Sequence, residues 1–253
     1  DAEGWSGLGI AVQAYGKRAI PVLRWLRRIA ETGRRRIPVR LVKGAYWDSE
    51  IKAAQERGLV DYPVFTRKLH TDLSYLAAMR LLLSDPQAFY PQLATHNAHS
   101  LAAALVSAGD APFELQRLHG MGEAIYAEVV GSGKLARPCR IYAPVGGHED
   151  LLAYLVRRLL ENGANTSFVN RLADAKAPVA DIVKDPVETA ERERSEGVKP
   201  KLLARPRDIF LPVRKAAAGL ALTDSAIRAG LLSEMAAEVR RVFAAGPVID
   251  GAT

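Results

Sequence analysis

Short apolar runs alternate with amphipathic segments over about the first 170 residues of the chain. The runs predict five strands, at residues 9–14, 39–43, 89–95, 113–118 and 140–143. A segment with helical spacing of apolar residues follows each run. Because this alternation is typical of βα units around a parallel sheet, the pattern predicts an α/β fold.

The predicted helices place apolar side chains every three or four positions. In the first helix Leu23, Leu26 and Ala30 share one face, and Gly33 is expected to end it because glycine readily adopts the backbone conformation of a C-cap. The other helices in this part are predicted at residues 49–57, 66–83, 100–108, 123–130 and 150–161.

The pattern changes near residue 172. Several prolines interrupt a polar stretch without strand patterning, so residues 173–215 are predicted to be a linker: Pro178, Pro186, Pro200, Pro206 and Pro212. Apolar residues at helical spacing resume at Ile227 and continue to Val242. The sequence therefore predicts three parts, at residues 1–172, 173–215 and 216–253.

Composition indicates a globular protein. The 253 residues are 49% hydrophobic and 25% charged, which suffices for a full core. No apolar run approaches the length of a membrane span, and the first residues show no export signal. Cys139 is the only cysteine and cannot form an internal disulfide, so we expect a cytoplasmic protein.

Basic residues are concentrated near the start of the chain. Residues 17–43 contain ten lysines and arginines but one acid, Glu31, whereas the whole chain has a net charge of +7. Most of these cations fall on the polar face and at the C-terminal end of the first predicted helix, where they complement its dipole. Two interpretations stay open: a solvated helix face, and a surface that binds nucleic acid or an anionic membrane.

Two cations belong to the second predicted strand. Arg40 lies within it and Lys43 at its carboxyl end, followed by Gly44, which allows close approach of a ligand. Ligands of parallel α/β folds bind at this end of the strands. Because unpaired buried cations are strongly destabilising, the pair predicts either an anionic ligand or structural salt bridges.

Polar side chains also follow the third strand. Thr95, His96 and Asn97 bring a hydroxyl, an imidazole and an amide to one edge, where they could hydrogen-bond a ring system or a phosphate. A structural role is the alternative for His96. No metal site is predicted, since neither an acidic residue nor a cysteine near His96 and His99 completes a zinc ligand set.

Adjacent arginines occur on the last helix of the α/β part. Arg157 and Arg158 differ by about 100° around a helix, so at least one points away from solvent if the apolar stripe faces the sheet. A guanidinium pair suits a carboxylate ligand. The alternative is one exposed arginine and one paired with Glu161.

Because the chain has no P-loop, complete dinucleotide fingerprint or nucleophile elbow, the polar residues described so far do not specify a reaction.

Six segments together resemble the proline dehydrogenase domain of the bacterial bifunctional proline utilization proteins. They occur in the family's order over about the first 170 residues: QAY at 13–15, RLVKGAYWDSE at 40–50, YPQLATHNAH at 90–99, LHGMGE at 118–123, RIYAPVG at 140–146 and YLVRRLLENGANTSF at 154–168. The resemblance implies a (βα)8 barrel that binds FAD and oxidises L-proline to pyrroline-5-carboxylate, with membrane quinone as electron acceptor.

The resemblance also implies roles for individual residues. Residues that would surround the flavin are Gln13, Arg40, Lys43, Gly44, Ala45, Thr95, His96, Asn97, Gln116, Glu161 and Phe168. Arg40 would lie near the flavin N5, and Tyr142 would be the second catalytic residue. Arg157 and Arg158 would bind the proline carboxylate, while the proline ring would contact Tyr46, Leu118 and Tyr142.

The family's barrel has three further strands before the one that carries Gln13, and they supply an active-site lysine and aspartate. We therefore expect residues 1–172 to be the last five βα units of the barrel and the 253-residue chain alone to bind FAD poorly and not to oxidise proline.

By the same resemblance, residues 216–253 would begin an NAD-dependent aldehyde dehydrogenase domain. The parent protein would be a homo-oligomer at the inner face of the inner membrane, with no DNA binding by this segment. The rival hypothesis is a non-catalytic fragment whose basic face at 17–43 binds nucleic acid or membrane.

Overall fold

The computed structural model of the chain describes residues 7–130, 137–163, 178, 183–200, 202–242, 244 and 246, except for the side chains at 160–163. In this part five strands form one sheet: β1 (Ile10–Gln13), β2 (Ile37–Val42), β3 (Phe89–Ala94), β4 (Glu114–Leu118) and β5 (Cys139–Tyr142). Neighbouring strands are parallel, and their order in the sheet is their order in the chain. The predicted strands and the predicted α/β fold class are confirmed.

Each strand of the sheet is followed by at least one helix. These helices are α1 (Ala19–Gly33), α2 (Trp47–Glu56), α3 (Lys68–Leu83), α4 (Ala98–Ala108), α5 (Glu123–Ala127) and α6 (His148–Gly163). Five of their positions agree with the predicted ones, but α5 ends three residues earlier than expected. Helix α1 ends at Gly33, but its C-cap is Arg34 and not the predicted Gly33, since Arg34 carries the left-handed backbone, with φ 48°.

The two faces of the sheet differ in polarity. Val39, Leu41 and Leu93 are fully buried in the apolar core that the sheet forms with α1, α3 and α4. On the other face, the register places Arg40 beside Gln92, and Gln92 beside Glu114. Because side chains alternate between faces along a strand, this polar face is the one available for a ligand.

The basic residues of 17–43 do not form one continuous surface. Arg24 and Arg28 are exposed, but Arg27 donates to Asp85 over 2.6 Å and the guanidinium of Arg36 lies over the ring of Tyr90 at 5.1 Å. Arg40 and Lys43 face the polar side of the sheet. The concentration of positive charge along the sequence is therefore divided among separate environments.

Part of the stretch predicted to be a linker is a packed helix, α7 (Pro186–Ser195). Its N-cap, Asp185, accepts a hydrogen bond from the backbone N–H of Val187 at 2.7 Å. The two guanidinium nitrogens of Arg67 donate to Glu193 over 2.9 and 2.8 Å, which fixes α7 against α3. The division of the chain at residues 172 and 215 stays a prediction.

The chain separates into two compact units. The first comprises Asp1–Ile51 and Pro63–Leu203 and contains the sheet. The second comprises Lys52–Tyr62 and Ala204–Thr253. In it the Tyr62 hydroxyl donates to the carbonyl oxygen of Ala204 at 2.7 Å, and helix α8 (Ser225–Glu238) occupies the region where a helix was predicted.

Candidate functional site

A cavity of about 650 Å³ lies at the carboxyl ends of the five strands, on the polar face of the sheet. Every strand and the two helices α3 and α6 contribute to its wall. The lining consists of Ala11, Gln13, Arg40, Val42, Lys43, Gly44, Ala45, Tyr46, Lys68, Ala94, Thr95, His96, Asn97, Leu118, Met121, Tyr142, Ala143, Pro144, Tyr154 and Arg158. This is the location where parallel α/β folds bind ligands.

Arg40 and Tyr142 stack on each other in this cavity. The guanidinium carbon of Arg40 lies 3.9 Å from the centre of the Tyr142 ring, a stacked cation–π contact. Burial raises the pKa of the Tyr142 phenol, and the nearby Arg40 opposes this by favouring the phenolate. The Nε of Arg40 is buried without a hydrogen-bond partner. An oriented donor of this kind suits a bound group with an acceptor atom.

Lys43 lies in an ion-pair cluster with two residues of α3. Its ammonium pairs with Oδ1 of Asp72, whose Oδ2 lies 2.6 Å from Nζ of Lys68. Burial lowers the pKa of Lys43, and the Asp72 carboxylate opposes this. Of the two alternatives for Lys43, a structural salt bridge and an anionic ligand, the salt bridge is present, and both lysines nevertheless line the cavity.

Thr95, His96 and Asn97 turn the chain from β3 into α4. The Thr95 hydroxyl accepts the backbone N–H of Asn97 at 3.2 Å, and the Asn97 side-chain oxygen caps α4 by accepting from Ser100 at 2.9 Å. His96 Nε2 accepts the backbone N–H of Leu118 at 3.1 Å, so a neutral His96 carries its proton on Nδ1. The three side chains thus both stabilise the turn and line the cavity.

His96 should make the fold acid-sensitive. Burial, together with the positive charges of Arg117 and Arg158, lowers its pKa from 6.5 to about 4. Between pH 6.5 and pH 4, His96 is protonated in the unfolded chain but neutral in the folded chain. The free energy of unfolding is therefore highest above pH 6.5 and decreases as the pH falls toward 4. At about 1.4 kcal/mol per pKa unit, we expect up to about 3 kcal/mol less unfolding free energy at pH 4 than at pH 7. Denaturant unfolding followed by tryptophan fluorescence measures this.

The matched control is His96→Gln, whose side-chain oxygen can accept the Leu118 N–H without titrating. The difference in stability between the two proteins should shrink or reverse as the pH falls from 7 to 4. Parallel pH profiles would show that His96 does not titrate in this interval.

A buried carboxylate organises the strands beneath the cavity. Glu114 is 3% exposed and accepts Gln92 at 3.0 Å, Gln116 at 2.7 Å and both Nε and Nη2 of Arg140 at 2.9 and 3.0 Å. Burial raises the pKa of Glu114, but the hydrogen bonds from Arg140 and Gln116 lower it by more. Gln116 is 4% exposed and is absent from the cavity lining, although it lies on the same face of β4 as Leu118.

Gly44 is required by its surroundings. Its φ of 129° is rarely adopted by residues with a side chain, and a Cβ would lie 2.5 Å from the ring of Tyr15. The chain consequently passes close over Tyr15, and Gly44, Ala45 and Tyr46 line one side of the cavity.

The two arginines of α6 have different environments. Arg158 lines the cavity, with its guanidinium 5.1 Å from the ring centre of Tyr154. Arg157 lies 5.2 Å from the ring centre of Tyr46 and 3.4 Å from a carboxylate oxygen of Asp48. Both are thus near the cavity, but only Arg158 forms its wall.

The other predicted site residues are distributed as follows. Gln13, Leu118 and Tyr142 line the cavity at the ends of β1, β4 and β5. The side chain of Glu161 and all of Phe168 fall outside the described residues.

Sequence reasoning missed several residues of the wall. Tyr154 precedes the arginine pair by one helical turn, and its hydroxyl is buried without a partner. Lys68 and Asp72 carry no strand-end signal because they lie on α3. Their i, i+4 spacing on a helix could have indicated the ion pair but not its link to Lys43.

A smaller cavity of about 200 Å³ adjoins the first. Lys43, Lys68 and Asn97 line both cavities. The second is completed by residues of α3, α4 and the α7 region: Leu69, Asp72, Leu76, His99, Ser100, Lys184, Pro186 and Thr189. Positive charge therefore lies where the two cavities meet.

Two further properties of the described part of the chain bear on function. Among its helices, none is long and apolar enough to cross a membrane. Its His, Cys, Asp and Glu side chains nowhere gather in a group of three or more suited to a metal ion.

Comparison with known proteins gives a family match. The proline dehydrogenase family model matches residues 1–171. The bifunctional protein PutA of Salmonella typhimurium is 52% identical over 98% of this chain, and that of Rhizobium meliloti is 53% identical over 91%. These alignments cover 20% and 19% of the relatives, so the chain spans about a fifth of their length. The crystal structure of a proline utilization A mutant from Bradyrhizobium japonicum has 47% identity and a TM-score of 0.84, covering 93% of this chain and 24% of that one.

Proposed function

This chain belongs to the proline dehydrogenase family, and we propose that its cavity is the flavin and proline site of a proline dehydrogenase that oxidises L-proline to pyrroline-5-carboxylate. The observation that carries the proposal is the stacked pair of Arg40 and Tyr142 in a cavity lined by further cations. A bound flavin would supply the redox chemistry as the two-electron acceptor for proline.

The residues present fit a flavin. The small apolar side chains of Ala11, Val42 and Ala94 form part of the cavity wall, and a flat ring system can lie against them. The buried, unpartnered Nε of Arg40 provides a donor on the same face. We infer that Gln13, Arg40, Gly44 and Ala45 would hold the ring, and that Arg40 would stabilise negative charge on it.

FAD is favoured over a mononucleotide by the second cavity. It meets the main cavity at Lys43, Lys68 and Asn97, so a ligand that filled both would be long, and negative charge near its middle would suit the two lysines. The diphosphate of a dinucleotide would supply this charge. Lys43 and Lys68 would bind the diphosphate as charge-assisted donors, and Asn97 would add an amide.

Proline would bind between the flavin and α6. Its carboxylate suits the guanidinium of Arg158, while Tyr46, Leu118 and Tyr142 provide apolar surface for the ring. Arg157 would support this arrangement through its contact with Tyr46. By binding the carboxylate, the arginines would orient the carbon that loses hydride and slow the dissociation of proline.

The wider roles follow the bifunctional relatives. The alignment with PutA proteins extends over 98% of the chain, beyond the residues 1–171 of the family model, which supports the proposal that residues 216–253 belong to the start of an NAD-dependent aldehyde dehydrogenase domain. As the family resemblance implies, we propose quinone at the inner face of the membrane as electron acceptor and a homo-oligomeric parent protein.

The intact protein, by which we mean the proposed parent protein that contains this chain, should therefore purify yellow and reduce a dye acceptor when L-proline is added. Heat-released cofactor, separated by chromatography, should be FAD and not FMN. Arg24→Met, at an exposed position on α1, is the matched control and should leave both properties unchanged. A colourless protein that takes up no flavin from solution would refute the proposal, and release of FMN would refute the dinucleotide assignment.

A further inference from the structure

Asp72 is the one acidic residue among the described residues that line either cavity. It lies in the second turn of α3, away from the strand ends that carry the proposed cofactor contacts. Its side chain is 15% exposed. One carboxylate oxygen pairs with Lys43 and the other lies 2.6 Å from Nζ of Lys68. A single carboxylate thus connects the two lysines at the junction of the cavities.

An acid beside a proposed anion site would ordinarily weaken it. Here the geometry gives Asp72 a different effect, because both of its oxygens are engaged by ammonium groups. The cluster keeps one net positive charge. Each lysine is held in one place, which reduces the side-chain entropy lost on binding a ligand.

The groups around Lys43 come from several elements. On α3, the ring of Tyr75 lies 5.6 Å from its ammonium, and Lys68 is the neighbouring cation. His99 of α4 and Lys184 ahead of α7 line the second cavity with it. Apart from Asp72, these neighbours add either positive charge or no charge.

Without Asp72, protonated Lys43 would be disfavoured. Burial lowers the pKa of Lys43 and the charge of Lys68 lowers it further, whereas Asp72 acts in the opposite direction. Burial raises the pKa of Asp72 itself, but the two lysines lower it by more, so the carboxylate is ionised at neutral pH. Burial still leaves the pKa of Lys43 below its ordinary value, so the effect of Asp72 is to limit how far that pKa is lowered.

We propose that Asp72 is a positioning residue that keeps Lys43 charged and directed at the cofactor diphosphate. This inference rests on the proposed FAD site. Asp72 does not contact the phosphates in this role; it acts through the two lysines.

The test is the pH profile of FAD binding by the intact protein, measured by fluorescence quenching on titration of the apoprotein between pH 6 and pH 9. Between pH 6 and pH 9, the affinity of Asp72→Asn should fall at least tenfold more than the affinity of wild type, because Lys43 loses its proton at a lower pH without the Asp72 carboxylate. A uniform loss of affinity at every pH, which a purely structural role would give, would overturn the proposal.

Two backgrounds isolate Lys43. In Lys43→Arg, the guanidinium stays charged throughout this range, so adding Asp72→Asn should create no new pH dependence. In Lys43→Met, adding Asp72→Asn should not weaken FAD binding further. Circular dichroism checks the fold of each variant, and Asp72→Ser replaces Asp72→Asn if the asparagine variant does not fold.

The outcomes separate the two proposals. Wild type that binds no FAD refutes the flavin site. Wild type that binds FAD, together with an Asp72→Asn profile parallel to it, refutes the role of Asp72 alone.

Discussion

Arg158→Met is expected to raise the KM for proline by about 30- to 700-fold in the intact protein, equivalent to about 2–4 kcal/mol, the usual cost of removing one partner of a desolvated charge pair. Arg158 is the arginine of α6 that forms the cavity wall, beside Tyr154 and within the electrostatic influence of His96. A methionine keeps much of the side-chain length but leaves the substrate carboxylate without a cation. Steady-state kinetics with a dye acceptor measures the change.

Arg157→Met is the informative comparison. Its guanidinium already lies 3.4 Å from Asp48, so its loss should weaken proline binding less than the loss of Arg158. The flavin content of both variants should match wild type, since neither side chain is among the proposed flavin contacts. Equal KM values in wild type and Arg158→Met would remove Arg158 from the substrate site.

The second large effect is expected at Arg40. Arg40→Met should lower the reduction potential of the bound flavin by about 30–60 mV, where 30 mV corresponds to about 1.4 kcal/mol for two electrons. The reason is that a cation near the ring stabilises the negative charge it gains on reduction. Redox titration of the purified variant with a reference dye gives the potential.

Arg40→Lys separates charge from shape. It keeps the positive charge but loses the planar group that stacks on Tyr142 at 3.9 Å, so its potential should stay nearer wild type than that of Arg40→Met. An unchanged potential in Arg40→Met would place Arg40 in a purely structural role with Tyr142.

The strands and the cavity face were predictable because they depend on local patterns. Polar residues within or just after a strand, such as Arg40 and His96, stand out in an apolar context, and parallel strands necessarily bring their carboxyl ends to one edge. Arg158 was predictable only as one of a pair, since spacing cannot tell which of two adjacent helical residues reaches the cavity. The structure distinguishes it from Arg157 through Asp48, which is 109 residues away in the chain.

Other features depend on long-range packing that leaves no local signal. The polar sequence of α7 has the composition of a linker, and its attachment to α3 rests on the contact between Arg67 and Glu193, 126 residues apart. The second cavity was likewise unpredictable, because α3, α4 and the α7 region form it jointly. Asp72 was missed for the same reason, as its partner Lys43 belongs to another element.

The agreement between strand order and chain order has a consequence for how the site is assembled during synthesis. Each βα unit can add to the unit made just before it, so contacts build up progressively from the amino terminus. Lys43 emerges 29 residues before Asp72, and its charge gains a partner only when α3 joins the sheet. In the main cavity, Tyr142 and the α6 residues Tyr154 and Arg158 are synthesised after the lysines. On a growing polypeptide, the cluster of Lys43, Lys68 and Asp72 proposed to bind the diphosphate is therefore complete before the proposed substrate residues Tyr142 and Arg158 are made.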